Sequence, residues 1–148
     1  MVGGCFPHSR LRVYASVVGL IDGVRATLAA RSDVRTAYVF GSVATGRDGR
    51  NSDLDVAVVF ATRPSPRDLD ALSEELEHAA GRRVDLVDLA TAPPVLAHQV
   101  ISTGTCIVCR DPAERGEFEA RTVLRYLDTA HLRRIQESYL RERARRAP

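Results

Sequence analysis

Not one lysine occurs in these 148 residues; all 21 basic side chains are arginines. Without lysine there is no ammonium to clamp phosphate in a P-loop and no amine to form a Schiff base. Any cation a site uses must therefore be an arginine or a metal ion. Cysteine is scarce too: Cys5, Cys106 and Cys109 cannot build a disulfide framework, and their odd number suits a reducing compartment. Cys106-Ile107-Val108-Cys109 spells C-x-x-C, but no second Cys or His pair follows at zinc spacing. The motif sits in a β-branched run, where residues three apart face opposite sides of a regular strand, so both thiols are expected to be structural. Long apolar segments are missing, and the opening Met-Val-Gly-Gly-Cys-Phe-Pro lacks the basic and apolar regions of a signal peptide. Internal repeats and low-complexity tracts are absent as well. A cytoplasmic protein with no membrane association is expected.

What is present has the composition of an ordinary soluble domain, with 45% apolar and 27% charged residues. The length predicts a single domain over 1–148, large enough for one core and one site. Net charge is only +2, yet Arg133, Arg134, Arg141, Arg143, Arg145 and Arg146 crowd the last stretch. Such a run reads as a solvated helix face, with a partner or nucleic-acid surface as the alternative.

Apolar residues Val13, Val17, Val18, Leu20, Ile21, Val24 and Leu28 recur at three- and four-residue intervals and predict an amphipathic helix over about 11–31. Gly19 and Gly23 weaken it slightly. Residues 34–40 and 54–60 read as strands, joined by a turn-rich stretch containing Gly46, Asp48, Gly49, Asn51 and Ser52. Ser65-Pro66-Arg67-Asp68 spells a helix N-cap with Pro at the first helical position, and Gly81 is a C-terminal stop. Strands are expected near 84–89 and 105–109, with a short helix from Pro93 or Pro94 between them. Asp111-Pro112-Ala113-Glu114 repeats the capping pattern and opens one long helix over about 112–145, with Gly116 as the place for an interruption. Its sparse apolar stripe of Phe118, Leu124, Leu127, Ile135 and Leu140 makes it a candidate for contacting a partner. This order predicts an α/β (α+β) fold: a small mixed sheet of about four strands with helices packed on it.

Asp53 and Asp55 are two apart at the head of a strand, so their carboxylates leave one face, about 6–7 Å apart. Two full charges at that spacing repel by roughly 2–3 kcal/mol at an effective dielectric near 20. A divalent cation relieves that repulsion, and Mg²⁺ accepts such hard oxygens while keeping waters for a phosphate ligand. Asp85 joins the pair if its strand lies beside theirs, whereas Asp88 falls on the other face and reads as a surface or cap residue. The D-x-D pair alone would also fit a calcium site or a glycosyltransferase metal motif. Gly41 and Ser42, closing the preceding strand, allow close backbone approach and offer donors to phosphate, although "GS" alone is also a plain tight turn.

Taken together, Gly41-Ser42, ten residues, then Asp53-Leu54-Asp55 resemble the signature of the DNA polymerase β-like nucleotidyltransferases. The surrounding "VFGS", "NSDLDVAVVF" and "RRVDLVDL" are similar to the small stand-alone branch, the minimal nucleotidyltransferases, over a core of about 34–108. The resemblance implies a polymerase β palm-like fold and ATP-dependent nucleotidyl transfer with two Mg²⁺ ions. It implies that Gly41 and Ser42 hold the triphosphate and that Asp53, Asp55 and Asp85 are catalytic carboxylates and metal ligands, Asp85 also acting as base. The branch's loop arginine is replaced here by Thr45, so Arg47 or Arg50 would contact the phosphates, with Arg47 the first choice. The implied partner is a HEPN-domain toxin, AMP being transferred to its tyrosine, in a homo-oligomer or a hetero-oligomer with the toxin. Alternatives are an aminoglycoside-type transferase, for which the roughly 38 residues after Arg110 are few, and an antitoxin acting by binding alone. Nucleic-acid polymerisation ranks last, since only the basic C-terminal helix offers a groove.

Overall fold

The computed structural model describes residues 15–42 and 52–146. Four strands form one sheet in the order β3-β2-β1-β4, where β1 is Val34–Phe40, β2 Leu54–Phe60, β3 Val84–Asp88 and β4 Thr105–Cys109. Strand β1 runs antiparallel to both β2 and β4, and β2 pairs parallel with β3, so the sheet is mixed as expected. The parallel pair requires a crossover, which is supplied by helix α2, Pro66–Ala80.

Helices cover both sheet faces because the central strands are apolar on both sides. On one face α1 (Ala15–Ala30) and α2 bury Val24, Leu28, Leu72 and Leu76 against Val39, Leu54, Val56 and Val58. On the other, α3 (Pro94–Thr103) packs Ala97 and Val100 against Tyr38, Phe40, Ala57 and Val59, with α4 (Pro112–Asp128) adding Phe118. Gly23 has a role beyond its helix propensity: a Cβ there would lie 2.8 Å from the Ala79 carbonyl oxygen, so the missing side chain lets α1 and α2 approach. The predicted start of the first helix, before residue 15, lies outside the described residues.

Helix α2 begins as its sequence predicts. The Ser65 hydroxyl accepts from the Asp68 amide at 3.2 Å while the Asp68 carboxylate accepts from the Ser65 amide at 3.0 Å. Gly81 ends it at φ 64°, a left-handed conformation, and its N–H donates to the Glu77 carbonyl. At the end of β3 the Asp88 carboxylate accepts from the Ala90 amide and the Thr91 hydroxyl, closing the turn that follows the strand.

Two expectations are corrected. The C-terminal segment is not one helix interrupted near Gly116; α4 runs through Gly116 to Asp128 and α5 spans Ala130–Arg146, the break falling at Thr129. There the Tyr126 carbonyl accepts from the Thr129 hydroxyl at 2.9 Å and from the Arg133 guanidinium at 2.5 Å, side-chain bonds that compete with the helical ladder. The Arg133 guanidinium also lies 3.7 Å from the Tyr126 ring centre, whose other neighbour is the His98 ring, stacked at 3.9 Å. The second correction concerns the cysteines. A register shift opposite Ala37 and Tyr38 aligns Cys106 with Tyr38 and Cys109 with Thr36, so both face the same side of the sheet. An extra residue in β4 overrides simple alternation. Both cysteines are half-buried.

Candidate active site

The two strands carrying the acidic residues lie side by side. In the parallel β2–β3 pair Asp55 is aligned with Asp85, and alignment across neighbouring strands puts both side chains on one face. That face is the α3 side, since Leu54 and Val56 point to the α1–α2 core and Ala57 to the other. Asp53, two residues earlier, is exposed just before β2, Asp55 is half-buried and Asp85 is exposed.

Burial pushes the Asp55 carboxyl above the ordinary aspartate value, and the negative charges of Asp85 and then Asp53 push it further. Asp85 and Asp53 thus act on Asp55 through space. Among the described residues no three Asp, Glu, His or Cys side chains are already gathered as a metal site. Mg²⁺ does not demand such a cage, because it is commonly held by one or two carboxylates together with phosphate oxygens and water. The donor set therefore fits Mg²⁺.

Gly41 is fixed by the same carboxylate. It follows Phe40, the residue aligned with Asp55, and has φ 71°. A Cβ on Gly41 would stand 1.9 Å from Asp55 Oδ2, so glycine is required both by the backbone conformation and by the space. Gly41 and Ser42 are already helical, so a helical turn begins directly after β1. The intervening Thr45, Arg47 and Arg50 lie outside the described residues.

One contributor escaped the sequence reading. Arg82 Nη1 donates to the Ser52 carbonyl at 3.2 Å, and the neighbouring Arg83 carbonyl accepts from the Leu54 amide at 2.9 Å. These bonds tie the segment carrying Asp53 to the start of β3, which carries Asp85. The only sequence signal was the Arg-Arg pair directly before β3.

A half-buried carboxylate beside a left-handed glycine, with a second acid aligned with it on the neighbouring strand and a third two residues earlier in the chain, is an arrangement suited to phosphate chemistry with a divalent ion. Residues 23–113 match the polymerase beta nucleotidyltransferase family, and the chain belongs to that family. More particularly, it is similar to the protein adenylyltransferase MntA of Shewanella oneidensis, with 42% identity over 67 residues, 45% of this chain and 48% of that protein. The match thus spans about half the length of that curated relative. Among solved structures, one of a toxin–antitoxin with AMP-PNP has a TM-score of 0.73 at 28% identity, covering 81% of this chain and 98% of the other. Another, the tri-AMPylated Shewanella oneidensis HEPN toxin with its MNT antitoxin, contains a chain matching at TM-score 0.64 and 25% identity, covering 84% and 96%.

Proposed function

We propose that this protein is a Mg²⁺-dependent adenylyltransferase that moves AMP from ATP to a tyrosine of a HEPN toxin and so neutralises it in the cytoplasm. The observation that carries the reading is the alignment of Asp55 with Asp85, beside Gly41 and two residues from Asp53. It is supported by the adenylyltransferase name of the similar Shewanella protein and by the AMPylated toxin in one of the similar structures.

In this reading the N–H groups of Gly41 and Ser42 donate to the triphosphate, and Arg47 adds a cation. Asp53, Asp55 and Asp85 would hold Mg²⁺, two ions when fully loaded, which neutralise the triphosphate and acidify the acceptor hydroxyl. Asp85, the more exposed of the two aligned aspartates, takes the hydroxyl proton. The tyrosine oxygen forms a bond to the α-phosphorus, the bond to the β-phosphate oxygen breaks, and pyrophosphate leaves.

The toxin would supply the acceptor and dock on the C-terminal helices, whose Leu124, Leu127, Leu132, Tyr139 and Leu140 are 56–70% exposed. Among the described residues no helix is long and apolar enough to cross a membrane.

Label from α-³²P-ATP should pass to a co-purified HEPN toxin in Mg²⁺ and should not pass when Asp53 and Asp55 are alanine. A wild-type protein that binds the toxin yet transfers no label would sink the proposal. If the Asp53→Ala/Asp55→Ala/Asp85→Ala protein still relieves toxin-induced growth arrest, neutralisation is by binding alone.

A further inference from the structure

A cavity of about 410 Å³ lies between α4 and the sheet, at the ends of β1 and β2 remote from the carboxylates. Its polar wall is made by Arg35 from β1 and by Arg121 and Arg125 from α4, and its apolar wall by Val59, Phe60 and Phe118. The position of Arg35 results from a local irregularity. Val34 is aligned with Phe60 and Thr36 with Val59, so Arg35 is the extra residue of a β-bulge. Bulges re-aim side chains, and this one lets Arg35 line the same cavity as its neighbour Thr36.

The arginines are incompletely used. Arg35 Nε is buried without a hydrogen-bond partner, its nearest carboxylate oxygen, on Glu114, standing 3.8 Å away. Arg121 makes no hydrogen bond or ion pair among the described residues. Arg125 reaches only the Ala90 carbonyl, at 3.5 Å. A buried guanidinium nitrogen left unbonded is costly and calls for an acceptor. Three guanidinium groups against one carboxylate leave the cavity net positive, and their planar forks match phosphate oxygens.

We propose that this cavity is a second, non-catalytic site for a small phosphorylated molecule with a ring body, the chemical class of a nucleoside monophosphate. The volume falls within the range of small-ligand sites, and the apolar wall beside the arginines is suited to a ring body. Phe60 and Phe118 offer aromatic surface to the ring while the arginines take the phosphate. The site is independent of the carboxylates, so its failure would leave the proposed AMP transfer untouched.

AMP is the probe. In EDTA, calorimetric titration of the Asp53→Asn/Asp55→Asn protein should show saturable AMP binding that inorganic phosphate displaces. Adding Arg121→Gln and Arg125→Gln, both on an exposed helix face, should weaken it about tenfold or more with an unchanged circular dichroism spectrum. Amide NMR shifts caused by AMP should gather at Thr36, Phe118 and Thr122. The site is refuted by absent saturation, by binding indifferent to the arginine changes, or by shifts gathered at Gly41 and Asp85. A short single-stranded RNA that binds through these arginines where AMP does not would equally overturn it, in favour of a polymer.

Discussion

At one end of the β1–β2 pair Gly41 lies against Asp55, with Asp85 aligned on the neighbouring strand and Asp53 just before β2. At the other, about 16 Å along the strand, a bulge turns Arg35 toward Glu114 and the arginines of α4. Between them Val39, Val56, Ala57 and Val58 are buried on both faces. The difference teaches where charge can be placed in so small a sheet. The middle is committed to two apolar cores, so ionic groups collect at the ends, and each end has its own backbone irregularity. At the acidic end it is a glycine in the left-handed region, and at the basic end an inserted residue.

The largest effect should come from breaking the acidic end. Replacing Asp53 and Asp55 together by alanine should lower AMP transfer by on the order of 10²- to 10³-fold or more, read from initial rates with the toxin as acceptor. The melting temperature should not fall, because these carboxylates repel one another. A protein that loses activity only by unfolding would mean that the acids are structural.

Gly41→Ala attacks the irregularity instead of the charge. The new methyl meets Asp55 Oδ2 and the backbone sits at φ 71°, so the fold should lose about 1–3 kcal/mol. Denaturant unfolding measures that loss, and transfer should fall with it because the Asp55 carboxylate must move. Unchanged stability would show that the turn after β1 relaxes freely and that the contact does not fix Asp55.

How much of this was legible depends on how local the cause is. Ser65, Asp68 and Gly81 mark the ends of α2 through bonds within a few residues, and the sequence pattern finds them. That Asp53 and Asp55 share a face was read from strand alternation, but β2 begins at Leu54 and Asp53 lies just before it. Asp85 was legible only on the condition that β3 lies beside β2, which the parallel pairing satisfies. The bulges at Arg35 and in β4 were not legible, since an extra residue is defined by the partner strand and not by the strand's own composition. The same holds for the Thr129 break: Gly116, a poor helix former, is carried inside α4, while Thr129 and Arg133 divert the Tyr126 carbonyl. Long-range pairing and side-chain competition outrank propensity in both cases.

A smaller effect tests what holds α4 against the sheet, and with it one wall of the basic cavity. The Tyr38 hydroxyl, buried in mid-strand, donates to Glu119 Oε1 at 2.8 Å, and the same oxygen accepts from Arg115 Nε at 2.7 Å. Burial and the Glu119 charge push the phenol well above its ordinary value, so it remains a neutral donor. Tyr38→Phe should cost about 1–2 kcal/mol by thermal or denaturant unfolding, with Glu119 still paired to Arg115. AMP transfer at the far end should be unaffected, and a parallel loss of transfer would show that the two ends are coupled through β1.

The smallest effect has the opposite sign. Because the folded state raises the Asp55 carboxyl above its usual value, the native protein holds that proton more tightly than the unfolded chain does. The associated stability is present at low pH, while the group is protonated. It is lost as pH rises from near 4 through the raised value, and at neutral pH the charged carboxylate is a net penalty. Asp55→Asn removes the charge and should raise the melting temperature without Mg²⁺, by only about 1–3 °C because solvent screens the half-exposed group. The gain should vanish at pH 3, where the wild-type carboxyl is protonated. It should also shrink at neutral pH when Mg²⁺ and ATP are added, because those ligands stabilise the wild type and lose their carboxylate partner in the variant. A variant less stable than wild type at neutral pH would mean that Asp55 makes a stabilising bond that outweighs its repulsion by Asp85 and Asp53.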